Sequence, residues 1–70
     1  MMRTEEQILQ DFEELGYSVM FQNHTHLELE RNDVEYIRIF KWDETYTSSV
    51  VLGMQEHKLL TELFNLWRWL

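Results

Sequence analysis

Three histidines, thirteen carboxylates and a few hydroxyls are the groups in this 70-residue chain that could serve acid, base, nucleophilic or metal chemistry. His24 and His26 have the two-residue spacing that, within a strand, turns both imidazoles to one side, which is the beginning of a metal site. Such a site needs a third and a fourth ligand, and Asp33, Glu28 or His57 would have to bring them by tertiary approach. The sequence has no cysteine, so thiolate zinc sites, disulfides and a Cys-His nucleophile are excluded. Ser18, Ser48 and Ser49 lie outside any G-x-S-x-G elbow, and two glycines are too few for a phosphate-cradling loop. The carboxylates fall at alternating or helical spacing, which reads as solvated faces rather than acid-base pairs. The expectation is a protein that is not an enzyme and holds no cofactor or metal.

The elements that carry these groups follow from local patterning. Thr4-Glu5-Glu6-Gln7 forms a capping box and starts a helix over residues 4 to 15, which Gly16 closes in the left-handed conformation. Ile8, Leu9, Phe12 and Leu15 form its apolar stripe, while Glu6, Gln10, Glu13 and Glu14 face outward. From Tyr17 the period changes to two, and residues 17 to 21, 26 to 31, 35 to 41 and 45 to 52 read as four short strands, with three as the alternative. Pairing Leu29 with Ile37 and Leu27 with Ile39 keeps apolar residues together and sets Glu28 against Arg38 and Arg31 against Glu35. The connecting Asn32-Asp33-Val34 is an odd loop in which Val34 suits a left-handed position poorly.

Residues 54 to 70 form a second helix, on which Leu66, Leu59, Leu70, Leu63, Trp67, Leu60 and Phe64 share a broad apolar face. Lys58, Glu62, Asn65 and Trp69 lie on its other side. The predicted fold is α+β: one domain over residues 1 to 70, with a helix, a four-strand antiparallel meander and a helix, both helices covering one sheet face. The other sheet face then carries His26, Glu28, Glu30, Tyr36, Arg38 and Phe40 to solvent or a partner.

Charge is distributed unevenly. Residues 1 to 35 hold nine carboxylates against two arginines and so carry the whole net charge of -7, while the second half is balanced. That sign opposes direct nucleic-acid binding, which needs Lys and Arg to neutralise phosphates. No stretch approaches the roughly 18 apolar residues of a membrane span, and the acidic N-terminal run lacks a signal peptide's apolar core, so a cytoplasmic protein is expected. The residues expected to meet a protein partner are Trp69 and Leu66 at the C-terminal end and Tyr36 and Phe40 on the sheet. The carboxylates Glu6, Glu13, Glu14, Glu28 and Glu30 could together imitate a line of phosphates. A core this small also makes a homodimer a natural expectation.

The closing run Met54-Gln55-Glu56-His57-Lys58-Leu59-Leu60-Thr61-Glu62-Leu63-Phe64-Asn65-Leu66-Trp67-Arg68-Trp69-Leu70, with the Glu14-Leu15-Gly16-Tyr17 turn, resembles small proteins encoded by phages and prophages of Gram-positive bacteria. The resemblance implies a genomic setting and no chemistry, because its motifs are packing motifs. By size, charge and element order alone, the chain is also similar to anti-CRISPR and anti-restriction inhibitors. The function expected is that of a non-enzymatic phage or prophage accessory protein acting through protein-protein interaction. The alternative is an acidic nucleic-acid mimic that inhibits a DNA-binding host defence enzyme.

Overall fold

The computed structural model describes residues 2–70, in the order α1 (Glu5–Glu14), β1 (Ser18–Gln22), β2 (His26–Arg31), β3 (Glu35–Phe40), β4 (Thr45–Ser48) and α2 (Met54–Arg68). α1 begins at the capping box. The Gln7 N–H donates to the Thr4 hydroxyl at 3.2 Å, and the Thr4 N–H donates to the Gln7 side-chain oxygen at 2.9 Å, which satisfies donors that a helix start otherwise leaves open. The helix ends because Gly16 turns to φ 98°, a conformation that costs glycine little.

The strands form one antiparallel meander in the order β1-β2-β3-β4. Between β2 and β3 the pairing is the one the side chains require: Leu27 with Ile39, Glu28 with Arg38, Leu29 with Ile37 and Arg31 with Glu35. Asn32 and Asp33 take the left-handed positions of the connecting turn, at φ 56° and 61°, so Val34 does not have to. Their short polar side chains make that conformation tolerable.

The boundaries of α1, β1 and β3 lie within one residue of the sequence expectation, while those of β4 and α2 differ by more. β4 stops at Ser48 rather than near residue 52. The Ser49 N–H still donates to the Tyr36 carbonyl at 3.1 Å, but the Tyr36 N–H donates to the Ser49 hydroxyl at 2.9 Å and the Ser48 hydroxyl donates to the Val50 carbonyl at 2.6 Å, so side chains take over part of the ladder there. Leu52 then turns into the core while Val51 points outward. α2 ends at Arg68, and Leu70 is 85% exposed instead of extending the buried stripe, because it lies beyond the last helical turn.

One apolar cluster joins the layers. Leu27, Leu29, Ile37 and Ile39, all from one sheet face, meet Ile8 and Phe12 of α1 and Leu59, Leu60, Leu63 and Trp67 of α2. Both helices therefore cover the same face, with α1 closest to β1 and α2 reaching from Tyr17 and Arg31 at one end to Tyr46 of β4. Glu5 of α1 accepts from Gln22 of β1, while the His57 ring of α2 meets Tyr46 of β4 edge-on at 6.0 Å. Arg3 ties the helices together, donating to Asp11 at 2.6 Å and to Glu62 at 2.7 Å. The Trp67 indole N–H donates to Glu5 at 2.6 Å, which allows a ring with a polar atom to be buried. Among the described residues no helix is long and apolar enough to cross a membrane.

Candidate partner-binding surface

Alternation along β2 and β3 fixes what the uncovered sheet face presents. With Leu27, Leu29, Ile37 and Ile39 pointing at the helices, His26, Glu28 and Glu30 of β2 and Tyr36, Arg38 and Phe40 of β3 point the other way. Phe21 of β1 joins them. The pairing of β1 with β2 shifts between Val19, opposite Leu29, and Phe21, opposite Glu28, which leaves Met20 as an extra residue. This β-bulge moves Phe21 from the parity of Tyr17 and Val19 to the open face.

The result is a band of rings across three neighbouring strands. Phe21 stacks on His26 with centroids 4.8 Å apart, and His26 lies 6.1 Å from Phe40 at a tilt. Tyr36 is 44% exposed with the Arg38 guanidinium 6.0 Å from its ring centre. Glu28 sits between two bases, with His26 Nε2 at 3.1 Å and Arg38 at 3.5 Å. The band is thus apolar and aromatic at its rim and internally compensated in charge where Glu28 lies. Such a surface can bury rings against another macromolecule without leaving Glu28 unpaired.

The structure groups some of the residues named from the sequence and separates others. Tyr36 and Phe40 share the open face with Glu28 and Glu30. Glu6, Glu13 and Glu14 are exposed on α1, which lies against the opposite face of the sheet, so the five carboxylates do not make one continuous line. Trp69 follows α2 and is 77% exposed, whereas Leu66 packs partly against the core instead of completing an outward patch. His24 lies in the bend between β1 and β2, outside either strand, so the strand spacing that would align it with His26 is not met. Among the described residues, no group of three His, Asp or Glu side chains is placed to hold a metal ion.

Two hollows accompany this surface on the helix side. An open groove of about 480 Å³ between α1 and α2 is lined by Arg3, Asp11, Glu14, Lys58 and Glu62 among others, and the Arg3 clamp spans it. A smaller one of about 120 Å³ lies among Trp42, Phe64, Trp67 and the paired cations Lys41 and Arg68. Arg3 with Asp11 and Glu62 in the first, and Arg68 with Glu44 in the second, brace one element against another. Comparison of the chain with family models, with curated proteins and with solved structures gave no match.

Sequence reasoning passed over Met20, Phe21 and Trp42 as contact residues, though Met20 and Trp42 are 59% and 60% exposed. Strict alternation from Tyr17 puts Phe21 on the core side, and a bulge leaves no clear mark in side-chain types. Trp42 belongs to the turn between β3 and β4, where periodicity has no force.

Proposed function

We propose that this protein is a non-enzymatic accessory protein of phage or prophage origin that works in the host cytoplasm by binding another protein. The observation that carries this reading is the sheet face left without a covering layer, where Phe21, His26, Tyr36 and Phe40 form one surface. Aromatic residues on a rigid sheet are well suited to binding, since their bulk is buried at low cost in side-chain freedom. The test is affinity capture from host lysate with the natural chain and with a Tyr36→Ser/Phe40→Ser variant whose circular dichroism is unchanged. Recovery of a specific partner by the natural chain and its loss with the variant supports the reading; equal recovery by both removes this face from the interaction.

A second reading, the nucleic-acid mimic, draws support from Glu6, Glu13 and Glu14, all of which are exposed on α1. It rests on α1 alone, because Glu28 is paired and lies across the sheet. Changing Glu6, Glu13 and Glu14 to Lys should then abolish inhibition of a DNA-binding enzyme, and unchanged inhibition would remove this reading.

A further inference from the structure

β2 and β3 are the two middle strands of the sheet, and their register sets its open face out in rows. His26 lies beside Phe40, Glu28 beside Arg38 and Glu30 beside Tyr36. β1 and β4 extend the middle row with Phe21 next to Glu28 and Thr47 next to Arg38. Opposite charges thus occupy the centre of the face, and rings gather at one end, where Phe21 stacks on His26 at 4.8 Å and Phe40 lies 6.1 Å from it. The central pair is loose. Arg38 approaches Glu28 only to 3.5 Å and its side chain is 47% exposed, which leaves guanidinium donors open to a further acceptor.

A face with one sign of charge would call for a partner of the other sign, but this one carries both, exchanged across the line between β2 and β3. A second copy laid on it about a two-fold axis along that line brings each row onto itself reversed. Glu28 of each copy then faces Arg38 of the other, His26 faces Phe40, and Tyr36 faces Glu30. About the crosswise axis, Glu28 would meet Glu28 and Arg38 would meet Arg38, so charge selects the first arrangement. Aligned sheets cross at about 30°, and the match is therefore best in the middle row, where the charges are.

We propose that a second copy of this chain covers the open sheet face, with Glu28 and Arg38 of the two copies forming a quartet of alternating sign at the two-fold axis. The proposal rests on the reading of this face as protein-binding and names its partner. The net charge of -7 per chain does not oppose it. Glu6, Glu13 and Glu14 are on α1, which packs on the other face, so both sheets, themselves about 10 Å apart, separate them from their copies, beyond a Debye length of about 8 Å. Four strands of up to six residues cover roughly 400 Å² in plan at about 4.8 Å between strands and 3.4 Å per residue. Standard interfaces bury about 800 Å² of accessible surface per partner, so the dimer belongs at the weak end of the range.

The test is sedimentation equilibrium of the full chain from about 10 µM to about 1 mM, a span suited to a weak complex, with amide spectra recorded along the same dilution. Expected are a rise toward twice the monomer mass and concentration-dependent shifts centred on His26–Glu30 and Tyr36–Phe40. Glu28→Arg and Arg38→Glu, each with unchanged circular dichroism, should dimerise at least tenfold more weakly alone, and an equimolar mixture of the two should regain the natural affinity, because one then supplies only Arg and the other only Glu to the quartet. A monomer throughout, shifts centred on Ser18–Gln22 or on α2, or a mixture no stronger than its components would overturn the proposal. Should the chain stay monomeric while the capture experiment recovers a partner that Tyr36→Ser/Phe40→Ser loses, the second copy is excluded and the protein-binding reading of the face survives.

Discussion

Arg31 shows how much one side chain can hold together. Its guanidinium lies 4.4 Å from the centre of the Tyr17 ring, donates to the two Glu35 oxygens at 3.1 and 3.3 Å, and donates to the Leu15 carbonyl at 3.1 Å. It thereby satisfies a carbonyl at the end of α1 from within the sheet. Arg31→Ala should lower unfolding free energy by about 1–2 kcal/mol in urea titrations, whereas the more exposed Arg38→Ala should cost less than about 1 kcal/mol. Hydrogen bonding from Arg31 also holds the Glu35 carboxyl below the usual carboxylate range. Because that value is lowered on folding, the stabilisation is present above the ordinary carboxylate range and is lost as pH falls through the lowered value. Glu35→Gln should therefore lower stability at neutral and alkaline pH and converge with the natural chain at low pH, which flattens the acid limb of a stability-against-pH curve. The Arg31-Glu35 pair was legible from the hairpin register. Contact with Tyr17 and Leu15 was not, because it requires α1 to have docked.

At the scale of elements, both ends of α1 were legible in the sequence. The Thr4 cap and Gly16 stop are both local signals, satisfied within a few residues of backbone. Thr4→Ala should cost about 1 kcal/mol. Gly16→Ala should cost about 1–2 kcal/mol, since alanine is strained at φ 98° and its Cβ would meet the Arg31 side chain at 3.0 Å. In the hairpin turn, Asp33→Gly relieves a left-handed aspartate and should raise stability by about 0.5 kcal/mol, read as a higher denaturation midpoint. The β1 bulge and the early end of β4 escaped the sequence for one reason. Each depends on which neighbour a backbone group finds, and the strand composition is the same either way.

Across the whole molecule, a single apolar layer between helices and sheet separates a packed side from an open one. Phe12 is fully buried at its centre, and Phe12→Ala should cost about 3–5 kcal/mol, a large share of what a domain of this size has. Trp67 is 3% exposed against 60% for Trp42 and 77% for Trp69. Acrylamide should therefore quench two of the three indoles readily, and Trp67→Phe should remove the protected, blue-shifted component of the emission. The sequence by itself determined the element order, the central hairpin register and the sheet face that turns inward, because periods of two and 3.6 residues state which side chains must leave water. Tertiary structure alone decided where the carboxylates of α1 lie relative to those of the sheet, and which aromatic rings meet. Those relations depend on the placement of one layer against another and on a one-residue bulge, and no local pattern in the chain encodes either.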